Sequence, residues 1–163
     1  MANSLVVGST GQDGALICQK LLSVGEEVVG TTRRQTSEAF WRLSELGVEN
    51  DIEICYYEVG NGSVLEEVIE KYQPDQIFLP IGDSSTISSR NKMEAVLSTN
   101  LLGTVEQYES IRKSSFEGSL VFFGSSEVFG YAANSGVLAN EETTFAPSNV
   151  YGLSKSLASD FIS

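Results

Sequence analysis

A chain of 163 residues, 41% of them apolar, is long enough for one domain of ordinary size with a real core. Its 22 acidic residues outweigh 10 basic ones, and the resulting net charge of −12 argues against nucleic acid or an anionic membrane as partner. Any anionic ligand must therefore be held locally. The sequence contains no histidine, which excludes Ser-His-Asp and Cys-His relays and histidine-ligated metals, so acid-base work falls to Tyr, Lys and carboxylates. Cys18 and Cys55 lack ligand-like spacing and read as small apolar core residues of a reducing compartment. No apolar stretch approaches the roughly 20 residues of a membrane span, and Met1-Ala2-Asn3-Ser4 does not resemble the start of a signal segment. The expectation is a soluble cytoplasmic protein that binds no metal.

In chain order, strands are expected at Ser4 to Gly8, Glu27 to Thr32, Ile52 to Glu58, Gln76 to Ile81 and Ser119 to Gly124, each near a Gly, Pro, Asn or Asp punctuator. Their short, nearly unbroken apolar runs suit buried parallel strands. Between them, Gly14 to Gly25, Gly62 to Tyr72 and Asn91 to Lys113 carry apolar residues at helical intervals. In the last of these the stripe is Met93, Val96, Leu97, Leu101, Leu102, Val105 and Ile111, expected to pack into the core. The alternation predicts an α/β fold with a parallel sheet wrapped in helices.

Between the first strand and first helix lies Gly8-Ser9-Thr10-Gly11-Gln12-Asp13-Gly14, spaced G-x-x-G-x-x-G. Gly8 is expected to end the strand, Gly11 to let the backbone approach a pyrophosphate, and Gly14 to permit close contact of the helix with the sheet. The spacing differs by one residue from the dehydrogenase fingerprint, but its strand-turn-helix context makes it credible. A purely structural turn is the alternative. About 20 residues on, where an NAD-binding protein presents Asp or Glu to the ribose, this chain has Thr31-Thr32-Arg33-Arg34. Two guanidiniums suit a 2′-phosphate better than they suit a bare ribose, so NADP is expected in preference to NAD. Near the end of the chain, Tyr151 and Lys155 stand four apart and share a helix face. The ammonium can favour the ionised phenol, lowering a reference pKa of about 10 toward neutrality.

Thr10 to Gly14, Arg33-Arg34, Gly124-Ser125-Ser126-Glu127-Val128-Phe129-Gly130, Glu142 to Pro147 and Tyr151 to Lys155 together resemble the extended short-chain dehydrogenase/reductases, most closely the GDP-mannose 4,6-dehydratases. The resemblance implies a Rossmann-type doubly wound parallel sheet over residues 1–163, lacking the family's C-terminal substrate domain. It also implies a cofactor site built from Gly8, Thr10, Gly11, Gln12, Asp13, Gly14, Arg33, Arg34, Ser84, Tyr151 and Lys155. By position, Tyr151 would take the proton of the sugar 4-hydroxyl, with Lys155 supporting the phenolate and the nicotinamide ribose. Ser125 would hydrogen-bond the C4 oxygen, and Glu127 would remove the C5 proton so that water leaves C6. Taken alone, Glu127 reads better as a solvated loop carboxylate, and it is the resemblance that favours the catalytic role. The implied substrate is a nucleotide-sugar, GDP-mannose favoured, and the implied assembly a homodimer or homotetramer through Leu97, Leu101, Tyr108, Leu157 and Phe161.

The pattern departs from the family in three places. Glu58-Val59-Gly60-Asn61 stands where an adenine contact of Gly-Asp-Leu type is usual, and Asp83 precedes Ser84 where it either caps the next segment or repels a pyrophosphate. Ser163 falls inside the helix bearing Tyr151 and Lys155, so the 163 residues by themselves are expected not to turn over a sugar. A dehydratase represented by its cofactor domain, another nucleotide-sugar epimerase, decarboxylase or reductase, and a non-catalytic NADP-binding module remain the three functional classes. Glu127 favours the first.

Overall fold

The computed structural model describes residues 3–80, 82–83, 93–131, 136 and 138–163. The chain forms two compact units, one of Met1–Ile81 with Glu109–Phe123 and one of Gly82–Tyr108 with Gly124–Ser163.

The first unit holds a five-stranded sheet of β1 (Asn3–Val6), β2 (Glu27–Thr32), β3 (Glu53–Tyr56), β4 (Gln76–Leu79) and β5 (Ser119–Phe122). The order is β3-β2-β1-β4-β5 and every neighbouring pair is parallel, with Leu5 beside Val29 and Ile77, and Ile77 beside Leu120. The chain builds outward from β1 to β3 and then returns to the other side of β1, which creates a topological switch point between β1 and β4. This is the expected Rossmann-type doubly wound sheet.

Only β2 has the expected bounds. β1 stops at Val6 instead of Gly8, because Gly8 has φ of +87° and has already left the extended region. β3, β4 and β5 are also shorter than expected, and Ile81 lies outside the described residues.

Alternating side chains send β1 and β2 into two cores. Leu5, Val7 and Val29 join Ile77, Leu79, Leu65, Val68, Ile69 and Ile111 in one cluster. Val6 and Val28 join Ala15, Cys18, Leu21, Leu43, Val48 and Ile52 in the other. Each such buried aliphatic side chain contributes about 1.5–3 kcal/mol. The edge strands depart from the expectation of full burial: Tyr56 on β3 and Val121 on β5 are exposed, and among the described residues each of these strands has a neighbour on one side only. Burial pushes the Cys18 thiol up to about 12, so it stays protonated as a small core side chain. Cys55 is half-buried.

Helix α1 (Gln12–Ser23) begins two residues before the expected Gly14, with Gly11 as its extended N-cap and Asp13 in its first turn. A 3-10 turn, Ser37–Phe40, and the short α2, Trp41–Glu45, follow β2. Two such short pieces carry no helical period by which a sequence reveals a helix. α3 (Gly62–Tyr72) matches its expected bounds.

The long helix of residues 93–113 is corrected in its face. It runs as α4 (Met93–Leu97), a π-helical turn (Ser98–Leu102) and α5 (Gly103–Lys113), of which the last part, from Glu109, belongs to the first unit. Val96 and Ile111 of the apolar stripe are buried, but Met93 and Leu102 are exposed, while Asn100, Thr104 and Gln107 are buried in their place. At about 100° per residue Val96, Asn100, Thr104, Gln107 and Ile111 fall on one face and Leu102 on the opposite one, so the buried face is the one that carries the polar residues. The second unit ends with α6 (Val150–Ile162). Among the described residues no helix is long and apolar enough to cross a membrane.

Candidate functional site

In the first unit, the glycine turn is stitched to the end of β2. The Gly8 amide donates to Thr31 Oγ1 at 3.0 Å, and the Ser9 amide and hydroxyl both donate to the Thr31 carbonyl, at 2.9 and 3.1 Å. Ser9 fits only because Gly30 has no side chain: a Cβ there would lie 2.4 Å from Ser9 Oγ. Gly14 is tighter still, since its Cβ would lie 2.3 Å from the Gly8 carbonyl oxygen and 2.9 Å from Ser9 Cα. The close approach it permits is therefore of helix to turn. Gly11, Gln12 and Asp13 are exposed, and the missing side chain at Gly11 leaves bare main chain at the start of α1.

The turn also meets the residues after β2. Thr10 Oγ1 and Thr32 Oγ1 are hydrogen-bonded at 3.0 Å, and Thr32 Oγ1 accepts from the Arg34 amide at 3.2 Å. Arg33 and Arg34 are exposed. A third guanidinium arrives from α2: Arg42 Nη1 donates to the Thr10 carbonyl at 3.4 Å, and its Cζ sits 4.4 Å from the centre of the Trp41 ring. Among the described residues none of these three guanidiniums lies within 4.0 Å of a carboxylate. Bare main chain at a helix N-terminus fits the pyrophosphate of a dinucleotide, and unneutralised cations beside it fit a further phosphate. Arg42 escaped the sequence reading; its signal was a further arginine soon after the Arg33-Arg34 pair in a chain with so few cations. Beyond β3, Glu58 to Asn61 form a turn in which Gly60 has φ of +100°.

In the second unit, Ser125 N-caps the 3-10 turn Ser126–Phe129, its Oγ accepting from the Glu127 amide at 3.2 Å. The Glu127 carboxylate is in turn held by α6. Asn149 N-caps that helix, with Oδ1 accepting from the Gly152 amide at 2.8 Å and Nδ2 donating to Glu127 Oε2 at 2.7 Å. The helix comes this close because residue 152 is glycine: a Cβ would lie 2.4 Å from the Glu127 carbonyl oxygen. One turn on from half-buried Tyr151, Lys155 is 3% exposed, and a Cβ at Gly82 would lie 3.4 Å from both its Cε and its Nζ.

Next to Gly82, the Asp83 amide donates to Asn100 Oδ1 at 2.7 Å and the Asp83 carbonyl accepts from Asn100 Nδ2 at 3.1 Å. Asn100 is fully buried in the π turn, and such turns recur at functional sites. Sequence reasoning passed over it as one polar residue in an apolar stripe. The signal was the spacing of Asn100, Thr104 and Gln107 along one helix face. Ser84 lies outside the described residues, as does the segment that Asp83 caps in one of its two readings. Among the described residues no group of His, Cys, Asp or Glu could hold a metal ion.

The parallel doubly wound sheet, the glycine turn at the end of β1 and the Tyr151 to Lys155 helix define an extended short-chain dehydrogenase/reductase. A profile of GDP-mannose 4,6 dehydratase matches residues 5–163, and the chain belongs to that family. It is 28% identical over 162 residues to the GDP-mannose 4,6-dehydratase of Vibrio cholerae, which covers 95% of this chain and 43% of the relative. To the human GDP-mannose 4,6 dehydratase it is 25% identical over 158 residues, covering 93% and 42% respectively. The chain thus spans less than half the length of these curated relatives. Among solved structures, the UDP-Glc/GlcNAc 4-epimerase of Campylobacter jejuni superposes with a TM-score of 0.85 at 15% identity, over 98% of this chain and 47% of that one. The Brucella ovis UDP-glucose 4-epimerase in complex with NAD gives 0.80 at 20% identity, over 98% and 46%. At these identities the likeness is one of fold.

Proposed function

We propose that these residues are the cofactor-binding portion of a nucleotide-sugar 4,6-dehydratase of GDP-mannose type that uses NADP. The observation that carries this reading is the Ser125–Glu127–Asn149 arrangement on a chain of this family: a carboxylate that follows β5 in sequence and has its direction set by a helix cap. The clamp of Arg33, Arg34 and Arg42 supports NADP over NAD.

The bound nicotinamide supplies a hydride acceptor and donor, leaving the reaction redox-neutral. Tyr151 Oη takes the proton of the sugar 4-hydroxyl, and Lys155 Nζ stabilises the phenolate that makes this possible. Ser125 Oγ already accepts from the Glu127 amide, so its own proton is directed to an outside acceptor, the C4 oxygen. Glu127 takes the C5 proton with one carboxylate oxygen while Asn149 holds the other, and passes the proton to the departing C6 hydroxyl so that water leaves. The exposed Leu157 and Phe161 on α6 support assembly into a homodimer or homotetramer, and the net charge and absence of a membrane-length apolar run support a cytoplasmic enzyme.

The test uses the chain fused to the C-terminal half of the Vibrio cholerae relative, with GDP-mannose and NADP in a stopped-flow absorbance experiment. Glu127→Gln is expected to let NADPH absorbance rise and persist while dehydrated product falls by about 10²–10⁴-fold. Tyr151→Phe is expected to abolish the rise itself. Unchanged turnover in either variant refutes the assigned roles.

A further inference from the structure

Trp41 is the only tryptophan in the chain, and it is 52% exposed on a short helix where nothing in a core requires it. Its ring carries the Arg42 guanidinium at 4.4 Å, well within the roughly 6 Å over which a ring face attracts a cation. The same guanidinium is tethered at its Nη1 by the Thr10 carbonyl, in the turn whose next residue is Gly11. Arginine has five N–H donors in a fixed planar fork. A ring on one face and a carbonyl at one nitrogen fix the plane of that fork while leaving other donors unused. Thr10 is itself tied to Thr32, and Thr32 to the Arg34 amide, so the stacked guanidinium and the Arg33-Arg34 segment share one hydrogen-bonded frame. A long side chain held in one place loses less freedom on binding, and a guanidinium without a carboxylate partner carries a full charge to an incoming anion.

We propose that Trp41 is a specificity-determining positioning residue: by stacking on Arg42 it preorganises that guanidinium for the 2′-phosphate of NADP, and so sharpens discrimination against NAD. The inference rests on the dinucleotide reading given above and adds to it the residue that orients the clamp. The aromatic ring does not touch the phosphate. It acts through Arg42, and its influence is confined to the ligand that bears the extra phosphate. Because the ring lies beside the site and is the sole indole, its fluorescence also reports whether the clamp is filled.

Calorimetric titration of the 163-residue chain with NADP and with NAD, alongside the intrinsic tryptophan emission, tests this directly. Trp41→Ala is expected to weaken NADP binding about fivefold and to change NAD binding by less than twofold. Trp41→Phe, which keeps an aromatic face, is expected to recover most of the NADP affinity, and Arg42→Ala to lose at least as much as Trp41→Ala. In the parent chain NADP is expected to shift or quench the indole emission more than NAD at equal saturation. If NADP binds the parent chain and Trp41→Ala equally well, the positioning role is wrong while the dinucleotide site stands. An equal loss for both dinucleotides makes Trp41 a general structural residue and overturns the specificity claim. Failure of the parent chain to bind either dinucleotide removes the inference together with the reading beneath it.

Discussion

The glycine turn with the end of β2, and the Ser125–Phe129 turn with the start of α6, are built on opposite principles. In the first the backbone is exacting and the side chains are peripheral: Gly14 and Gly30 leave no room for a Cβ, whereas Arg33, Arg34 and Trp41 stand in solvent. In the second, individual side chains are fastened. Glu127 is bonded through its amide to Ser125 and through its carboxylate to Asn149, while Lys155 is buried. A surface that must accept a long polyanion needs shape and charge but little chemistry of its own. A group that moves a proton must be aimed, and a capped helix supplies a rigid mount.

The contrast can be broken by mutation, beginning with the largest effect. Gly14→Ala forces a methyl against the Gly8 carbonyl, and backbone cannot move aside as the end of a side chain would. Destabilisation of about 3 kcal/mol is expected in urea unfolding, the upper end for overpacking. A change below 1 kcal/mol would show the turn to be adaptable and the contrast overstated. Next comes the double variant Arg33→Ala with Arg34→Ala, which removes charge from a pliable surface. It is expected to weaken NADP binding at least tenfold, to leave NAD affinity nearly as it was, and to leave the melting temperature within a degree or two, as measured by calorimetry and thermal denaturation. Equal affinities of the parent chain for NADP and NAD would defeat the clamp.

The smallest effect is expected at Asn149. Asn149→Ala removes the cap of α6 and should cost about 1 kcal/mol, whereas Asn149→Ser keeps a capping oxygen and should recover most of that. Neither replacement donates to Glu127 Oε2 as the amide does. In the fused enzyme both variants should therefore lose dehydration rate, although only Asn149→Ala loses stability. If the rates follow the stabilities, the amide is a cap and nothing more.

The second strand and the α3 helix could be read to the residue because their signals are local, a short β-branched run and an amphipathic period between glycine and turn residues. The long helix could not, because its buried face carries Asn100, Thr104 and Gln107 beside Val96 and Ile111, and a stripe traced through apolar residues alone includes the exposed Met93 and Leu102. Asn100 is a polar residue on that buried face, and its role in holding the Asp83 backbone depends on a segment 17 positions away.

By itself the sequence determined the alternation of strand and helix, the glycine turn, the Arg33-Arg34 pair and the Tyr151 to Lys155 spacing, since each is set by backbone sterics or by residues a few positions apart. Tertiary structure alone decided that Arg42 reaches Thr10, that Asn149 grips Glu127, and that Gly30 and Gly152 are required by Ser9 and by the Glu127 carbonyl. Those contacts join residues 21 to 32 positions apart, and no local propensity encodes which distant side chain will occupy the space a missing Cβ leaves open.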